Sequence, residues 1–181
     1  MKGFDRNTGI TRPESLTDNE IWTIIIKERG MGMIDIMHLE KYKETNRIEA
    51  KKAVGGLPDS LWETYSAFAN TLGGVILLGV EELEDKSLRP VDLPDPEWLL
   101  SDFWDIINDK RKVSRNILTH DDVQIKRIDG KHIIVITVPK LKKGEVPIYI
   151  GGSVYTGTYK RSGDGDYKCS VEEVAEMLRQ I

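Results

Sequence analysis

The residues with chemistry to offer are acids and bases set close together along the chain. Glu44 precedes, and Glu49 stands within, an alternating run from Arg47 to Lys51. Ile48 and Ala50 face one way there, and Arg47, Glu49 and Lys51 the other. Glu81 and Glu82 follow the run Val75 to Val80, which is apolar on both faces and predicts a central strand covered from both sides. Ligand sites of open α/β sheets gather at such strand ends. If the two strands are neighbours, Glu44, Glu49 and one of Glu81 or Glu82 converge. Three carboxylates with open positions would hold Mg²⁺ or Mn²⁺ through oxygen, and such an ion activates water against a phosphodiester. On spacing alone the plainer reading is favoured, in which these acids are solvated and paired with Arg47, Lys51 and Lys52.

The bases fall in clusters. One holds Lys41, Lys43, Arg47, Lys51 and Lys52, a second Lys110, Arg111, Lys112 and Arg115, a third Lys140, Lys142 and Lys143, and a fourth Lys160 and Arg161. Tyr149, Tyr155 and Tyr159 sit among the last two, and cations interleaved with aromatics are what single-stranded nucleic acid binding uses. Against this stands the reading of an ordinary solvated surface, since 30 acids outnumber 26 lysines and arginines.

Other chemistries find little support. The glycine pair Gly73-Gly74 follows a helical pattern and precedes a strand, the reverse of a phosphate loop, and no G-x-x-x-x-G-K-[ST] run occurs. ATP binding therefore has no motif behind it. The stretch from Ser162 to Asp166 lacks the spaced acids of a calcium loop and reads as a tight turn. His38, His120 and His132 have no metal-binding spacing, and the single cysteine, Cys169, reads as a small packed side chain.

Elements must position these groups. Residues 1–16 read as a polar arm. Thr17 and Glu20 make a capping box for a first helix carrying Ile21, Ile24 and Ile25, with Gly30 as its stop. Residues 31–46 read as a connector with a short helix. Ser60 and Glu63 make a second capping box, followed by the helical stripe Leu61, Tyr65, Phe68, Ala69 and Leu72. The segment from Glu82 to Pro96 reads as a loop, with Asp95 and Pro96 starting a helix whose stripe is Leu99, Phe103, Ile106 and Ile107. Asp129-Gly130 predicts a two-residue hairpin. Short strands are expected at 147–150 and 153–161, and a last helix from Ser170 with Glu173 as its capping partner. The sum is an α/β (α+β) domain with a mixed β-sheet, helices interleaved early and hairpins late.

Composition sets the outer bounds. A chain of 181 residues, 31% charged and with net charge −4, reads as one soluble domain with a core of its own. A pI near 5.5 argues against coating nucleic acid by bulk charge, but allows a local basic face. One cysteine forbids an internal disulfide and fits a reducing, cytoplasmic setting. No apolar run approaches the ~18 residues of a membrane span, and no signal core opens the chain.

The segment from Asn46 to Glu82, with S-A-F-A-N-T-L-G-G at residues 66–74, resembles the Schlafen/AlbA-like DNA-binding domain family. That family is common in bacterial proteins described as transcriptional regulators or RecG-like helicases. Its pattern of E, then E-x-K, the S-A-F-A-N-T helix, an apolar strand and G-V with acids falls on Glu44, Glu49, Lys51, residues 66–74 and Gly79 to Glu82. The later P-x-Y and tyrosine-arginine signature falls on Pro147, Tyr149, Tyr159 and Arg161. The resemblance covers residues 38–181, leaving 1–37 as an N-terminal arm and helix, and implies an AlbA-like mixed sheet and nucleic-acid (DNA or RNA) binding.

Vertebrate members cleave structured RNA with three acids. On that pattern Glu44, Glu49 and Glu82 would be the catalytic and metal-holding set, with Glu82 where the nucleases carry Asp, and a homodimer would supply the second half of their clamp. The first expectation is a regulatory nucleic-acid-binding module of a transcriptional-regulator-like protein, with contacts from Lys51, Lys52, Lys160 and Arg161. The alternatives are a metal-dependent endoribonuclease, with Lys51 stabilising charge on the phosphate, and a protein-interaction or dimerisation module docking through the N-terminal helix.

Overall fold

A computed structural model describes residues 34–181; the expected arm and the helix capped by Thr17 lie outside the described residues. After a 3₁₀ segment, Ile36–Lys41, the chain forms β1 (Ile48–Lys51), α1 (Ser60–Asn70), β2 (Gly74–Leu78), β3 (Val80–Glu82) and β4 (Leu88–Pro90). It continues through α2 (Pro96–Asn108), β5 (Val123–Ile128), β6 (Lys131–Val138), the single turn α3 (Val154–Gly157), β7 (Tyr159–Ser162), β8 (Gly165–Lys168) and α4 (Val171–Arg179). No helix among the described residues is long and apolar enough to cross a membrane.

The main sheet has the order β1-β2-β6-β5. It is mixed: β1 runs parallel to β2, while β2–β6 and β5–β6 are antiparallel. All five residues of β2 are buried, as its apolar sequence on both faces demands. Ile76 and Leu78 join Leu61, Tyr65, Phe68 and Phe103 in a core beneath α1 and α2. Val75 and Leu77 point to the opposite face, with Ile48, Leu39, Val80 and Leu88. Both faces of the sheet are thus closed, one by helices and one by the 3₁₀ segment and the β3–β4 hairpin.

Local signals acted as expected in several places. Asp95 caps α2 by accepting from the Trp98 amide at 2.9 Å, with Pro96 at its first position. Ser170 and Glu173 form the reciprocal box of α4. Asp129 and Gly130 turn the β5–β6 hairpin with positive φ at both residues.

Four expectations are corrected. The box of Ser60 and Glu63 does not form: α1 begins at Ser60 behind Asp59, which makes no side-chain cap bond, and both side chains serve distant partners. The apolar strand does not continue to Val80. It stops at Leu78 because Gly79 adopts φ +80°, and a Cβ there would stand 2.8 Å from Leu93 Cγ. The expected loop after Glu82 is instead β4, pairing Glu81 with Arg89 and Glu82 with Leu88. The segments 147–150 and 153–158 make bridges and one helical turn rather than strands, leaving β7 to begin at Tyr159.

Candidate nucleic-acid interface and polar cleft

The site begins on β1. Pleating sends Ile48 and Ala50 into the core and leaves Glu49 and Lys51 on the helical face of the sheet. There the two charged side chains meet, Lys51 Nζ donating to Glu49 Oε1 at 3.0 Å and to Ser60 Oγ at 3.1 Å. The other oxygen of Glu49 accepts from Arg161 Nη2 at 2.8 Å. Arg161 Nη1 donates to Asp166 Oδ1 at 2.9 Å, and Thr64 Oγ1 donates to Asp166 Oδ2 at 2.6 Å. Arg161 Nη2 also reaches the Thr45 carbonyl at 2.8 Å, and the guanidinium lies 5.0 Å over the Phe68 ring. One cation thereby ties β1, the segment before it and β8 to α1.

The S-A-F-A-N-T helix explains how Arg161 arrives there. Ser66 and Asn70 lie one turn apart on α1 and face the same way. Ser66 Oγ donates to the Ile148 carbonyl at 2.7 Å and accepts from the Tyr159 amide at 3.0 Å. Asn70 Nδ2 donates to the carbonyls of Ile148 and Tyr159, and its Oδ1 accepts from the Ile148 amide at 2.8 Å. Thr71 Oγ1 accepts from the Arg161 amide at 3.0 Å. Three side chains of one motif therefore hold the backbone of β7, which presents Arg161, and of the Ile148 segment before it. Ser66, Asn70, Thr64 and Asp166 had no place among the expected site residues; a serine and asparagine four apart on a buried helical face were the available signal.

The expected acids divide in two. Glu44 is brought close to Glu49, with Oε1 accepting from the Ala50 amide at 3.1 Å. Burial, then the negative charge of Glu49, and further that of Glu82, hold its carboxyl above the usual range. Glu49 and Glu82 are thus near enough for their charge to act on Glu44. Glu81 and Glu82, however, ride on the β3–β4 hairpin instead of extending the central strand, and each has a cation of its own. Glu82 accepts from Lys86 at 2.6 Å, and Glu81 from Lys52 at 2.6 Å and from Arg89. Those two cations hold the Glu81 carboxyl below the usual range.

The donor set does not fit a resident Mg²⁺ or Mn²⁺. Both oxygens of Glu49 accept from cations, and among the described residues no group of three or more His, Cys, Asp or Glu side chains could hold a metal ion.

The expected bases divide as well. Arg161 has a side chain only 1% exposed, so direct phosphate contact gives way to a role in positioning Glu49 and Asp166. Lys51 is 9% exposed and engaged with Glu49 and Ser60. Lys160 is a surface residue paired with Glu173. Lys52 is 62% exposed, and Arg89, which the sequence reading did not single out, is 58% exposed. Both stand on the same Glu81 carboxylate, so this surface group carries one positive charge beyond neutrality.

The family model described as Schlafen, AlbA_2 matches residues 44–170. None of the curated proteins compared matches the chain. The N-terminal domain of a RecG-related protein from Nitrosomonas europaea, solved by NMR, is 25% identical, with a TM-score of 0.49; the alignment covers 82% of this chain and 92% of that one. A protein from Corynebacterium diphtheriae is 21% identical, with a TM-score of 0.47, over 74% of this chain and 24% of that one.

Proposed function

We propose that this chain, which belongs to the Schlafen AlbA_2 family, is a nucleic-acid-binding module with a regulatory role. The observation that carries the reading is the pair Lys52 and Arg89 on the single carboxylate Glu81. Two exposed cations with one acid between them leave a net positive charge at the surface, and phosphate oxygens would complete the arrangement. The buried clasp of Glu49, Arg161 and Asp166 stiffens the adjoining strand ends, so the cations project from a rigid base. The acidic total of the chain restricts such binding to this local face.

The test is retardation of labelled structured RNA and of duplex DNA by the purified chain, with and without Mn²⁺, beside a Glu49→Ala variant. Retarded but intact nucleic acid supports the reading. Metal-dependent cleavage lost in the variant would replace it with the endoribonuclease reading. Neither retardation nor cleavage would move the assignment to protein interaction.

A further inference from the structure

Where the chain runs on from Lys52 into Ala53 it enters the wall of a cleft of about 220 Å³ that the charge cluster does not use. Its walls are Ala53, Val54, Gly55 and Gly56 after β1, Leu93 to Asp95 before α2, and Trp98 and Leu99 on the first turn of α2. Trp98 is 60% exposed, although it belongs to a helix whose other face fills the core. It sits one position off the apolar stripe, where an indole has no packing duty, and among the described residues it stacks on no other ring.

The cleft and the cations are joined through the backbone. The Gly79 amide donates to the Lys51 carbonyl, and the Val91 amide to the Gly79 carbonyl. The two chain segments leaving that junction carry Lys52 into the first wall residue, Ala53, and Val91 on to Leu93.

From this arrangement we propose that the cleft receives one unpaired nucleobase of a single strand, stacked on Trp98, with the flanking phosphates on Lys52 and Arg89. The inference rests on the nucleic-acid-binding reading and narrows it to single strands. Size supports it: at about 220 Å³ the cleft is below the ~300–1,000 Å³ of pockets that enclose whole small ligands, and suits a single ring system with its backbone outside. Charge fixes the orientation. Asp95 is the cleft's acid, which repels phosphate and accepts from an exocyclic amine. Its Oδ1 accepts from the Trp98 amide at the start of α2, which fixes the carboxylate at the cleft wall. The base enters and the phosphates stay at the cations. In a duplex both ring faces are covered by neighbouring pairs, so stacking on Trp98 requires an unpaired base.

The experiment measures binding of the full chain to fluorescein-labelled dA12, dT12 and the dA12·dT12 duplex in low salt, for wild type, W98A, W98F and K52Q. The expected result is that dA12 binds tighter than dT12 and at least about tenfold tighter than the duplex. W98A should lower dA12 affinity about 5- to 150-fold, the range that loss of one base–aromatic stack gives, and bring dA12 and duplex together, while W98F should stay within about threefold of wild type. An exposed side chain makes W98A a safe variant for folding, which its circular dichroism checks. Wild-type dA12 affinity in W98A, or a duplex preferred over dA12, overturns the base-cleft proposal. If K52Q still weakens binding in that case, the broader reading stands; if wild type binds none of the three probes, the base-cleft proposal falls, and the broader reading falls with it when structured RNA is not retarded either.

Discussion

Arg161 and Glu49 are 112 residues apart, and Nη2 of one stands 2.8 Å from Oε2 of the other in a place closed to solvent. With Asp166 on Nη1 the guanidinium satisfies two carboxylates at once, which a lysine's point charge cannot do with the same geometry. Removing the cation leaves two partly buried acids with only Lys51 on Glu49 and Thr64 on Asp166. Arg161→Met is therefore expected to lower unfolding free energy by about 3–5 kcal/mol, with Arg161→Lys recovering part of it. Lys160→Ala, at the neighbouring surface position, should leave the denaturation midpoint almost unchanged. Urea unfolding of the three variants checks this ranking.

Asn70 makes three hydrogen bonds to backbone groups of Ile148 and Tyr159. Asn70→Ala leaves the Tyr159 carbonyl and the Ile148 amide without partners, while the Ile148 carbonyl keeps Ser66 Oγ; it is expected to cost about 2–4 kcal/mol, at roughly 1–3 kcal/mol for each stranded buried group. Ser66→Ala should cost less. Amide exchange reads the effect locally: the Ile148 amide should lose protection in Asn70→Ala beyond what the global loss of stability explains.

Glu44 gives the pH dependence a definite sign. Its folded-state pKa lies above the unfolded value through burial first and the charge of Glu49 second. The folded state then holds this proton more tightly, so the contribution is favourable below the unfolded pKa and is lost as pH rises through the folded one. Glu44→Gln keeps the acceptor for the Ala50 amide and removes the repulsion. Its Tm should exceed that of wild type by a few degrees at pH 7, and the gap should close as pH falls to 4. An equal gap at both pH values would place the effect elsewhere.

Much of this was readable from local pattern. The two-sided apolar run predicted the buried strand β2, Asp95-Pro96 and Ser170–Glu173 predicted helix starts, and Asp129-Gly130 predicted a hairpin, because each signal is short-range. The site was readable only in its β1 part. Glu49 and Lys51 follow from alternation, but Arg161 as a buried clasp follows from a contact 112 residues away. A surface phosphate ligand and a buried ion-pair partner look alike in sequence. Gly79 misled for a related reason. A glycine inside an apolar run fits a strand locally, and only the close approach of Leu93 shows why the chain turns there, taking Glu81 and Glu82 onto a hairpin. Ser60 and Glu63 match a capping box, yet the tertiary partners Lys51 and Tyr159 take their side chains.

The measurement closest to the central claim is the salt dependence of single-strand binding for wild type and for the Lys52→Gln, Arg89→Gln double variant. Each phosphate neutralised on a single strand adds about 0.7 to the slope of log affinity against log salt. The account predicts a salt-sensitive affinity in the wild type and a slope shallower by roughly 1.4 in the double variant. Equal slopes in the two proteins, or an affinity that salt does not change, would contradict it.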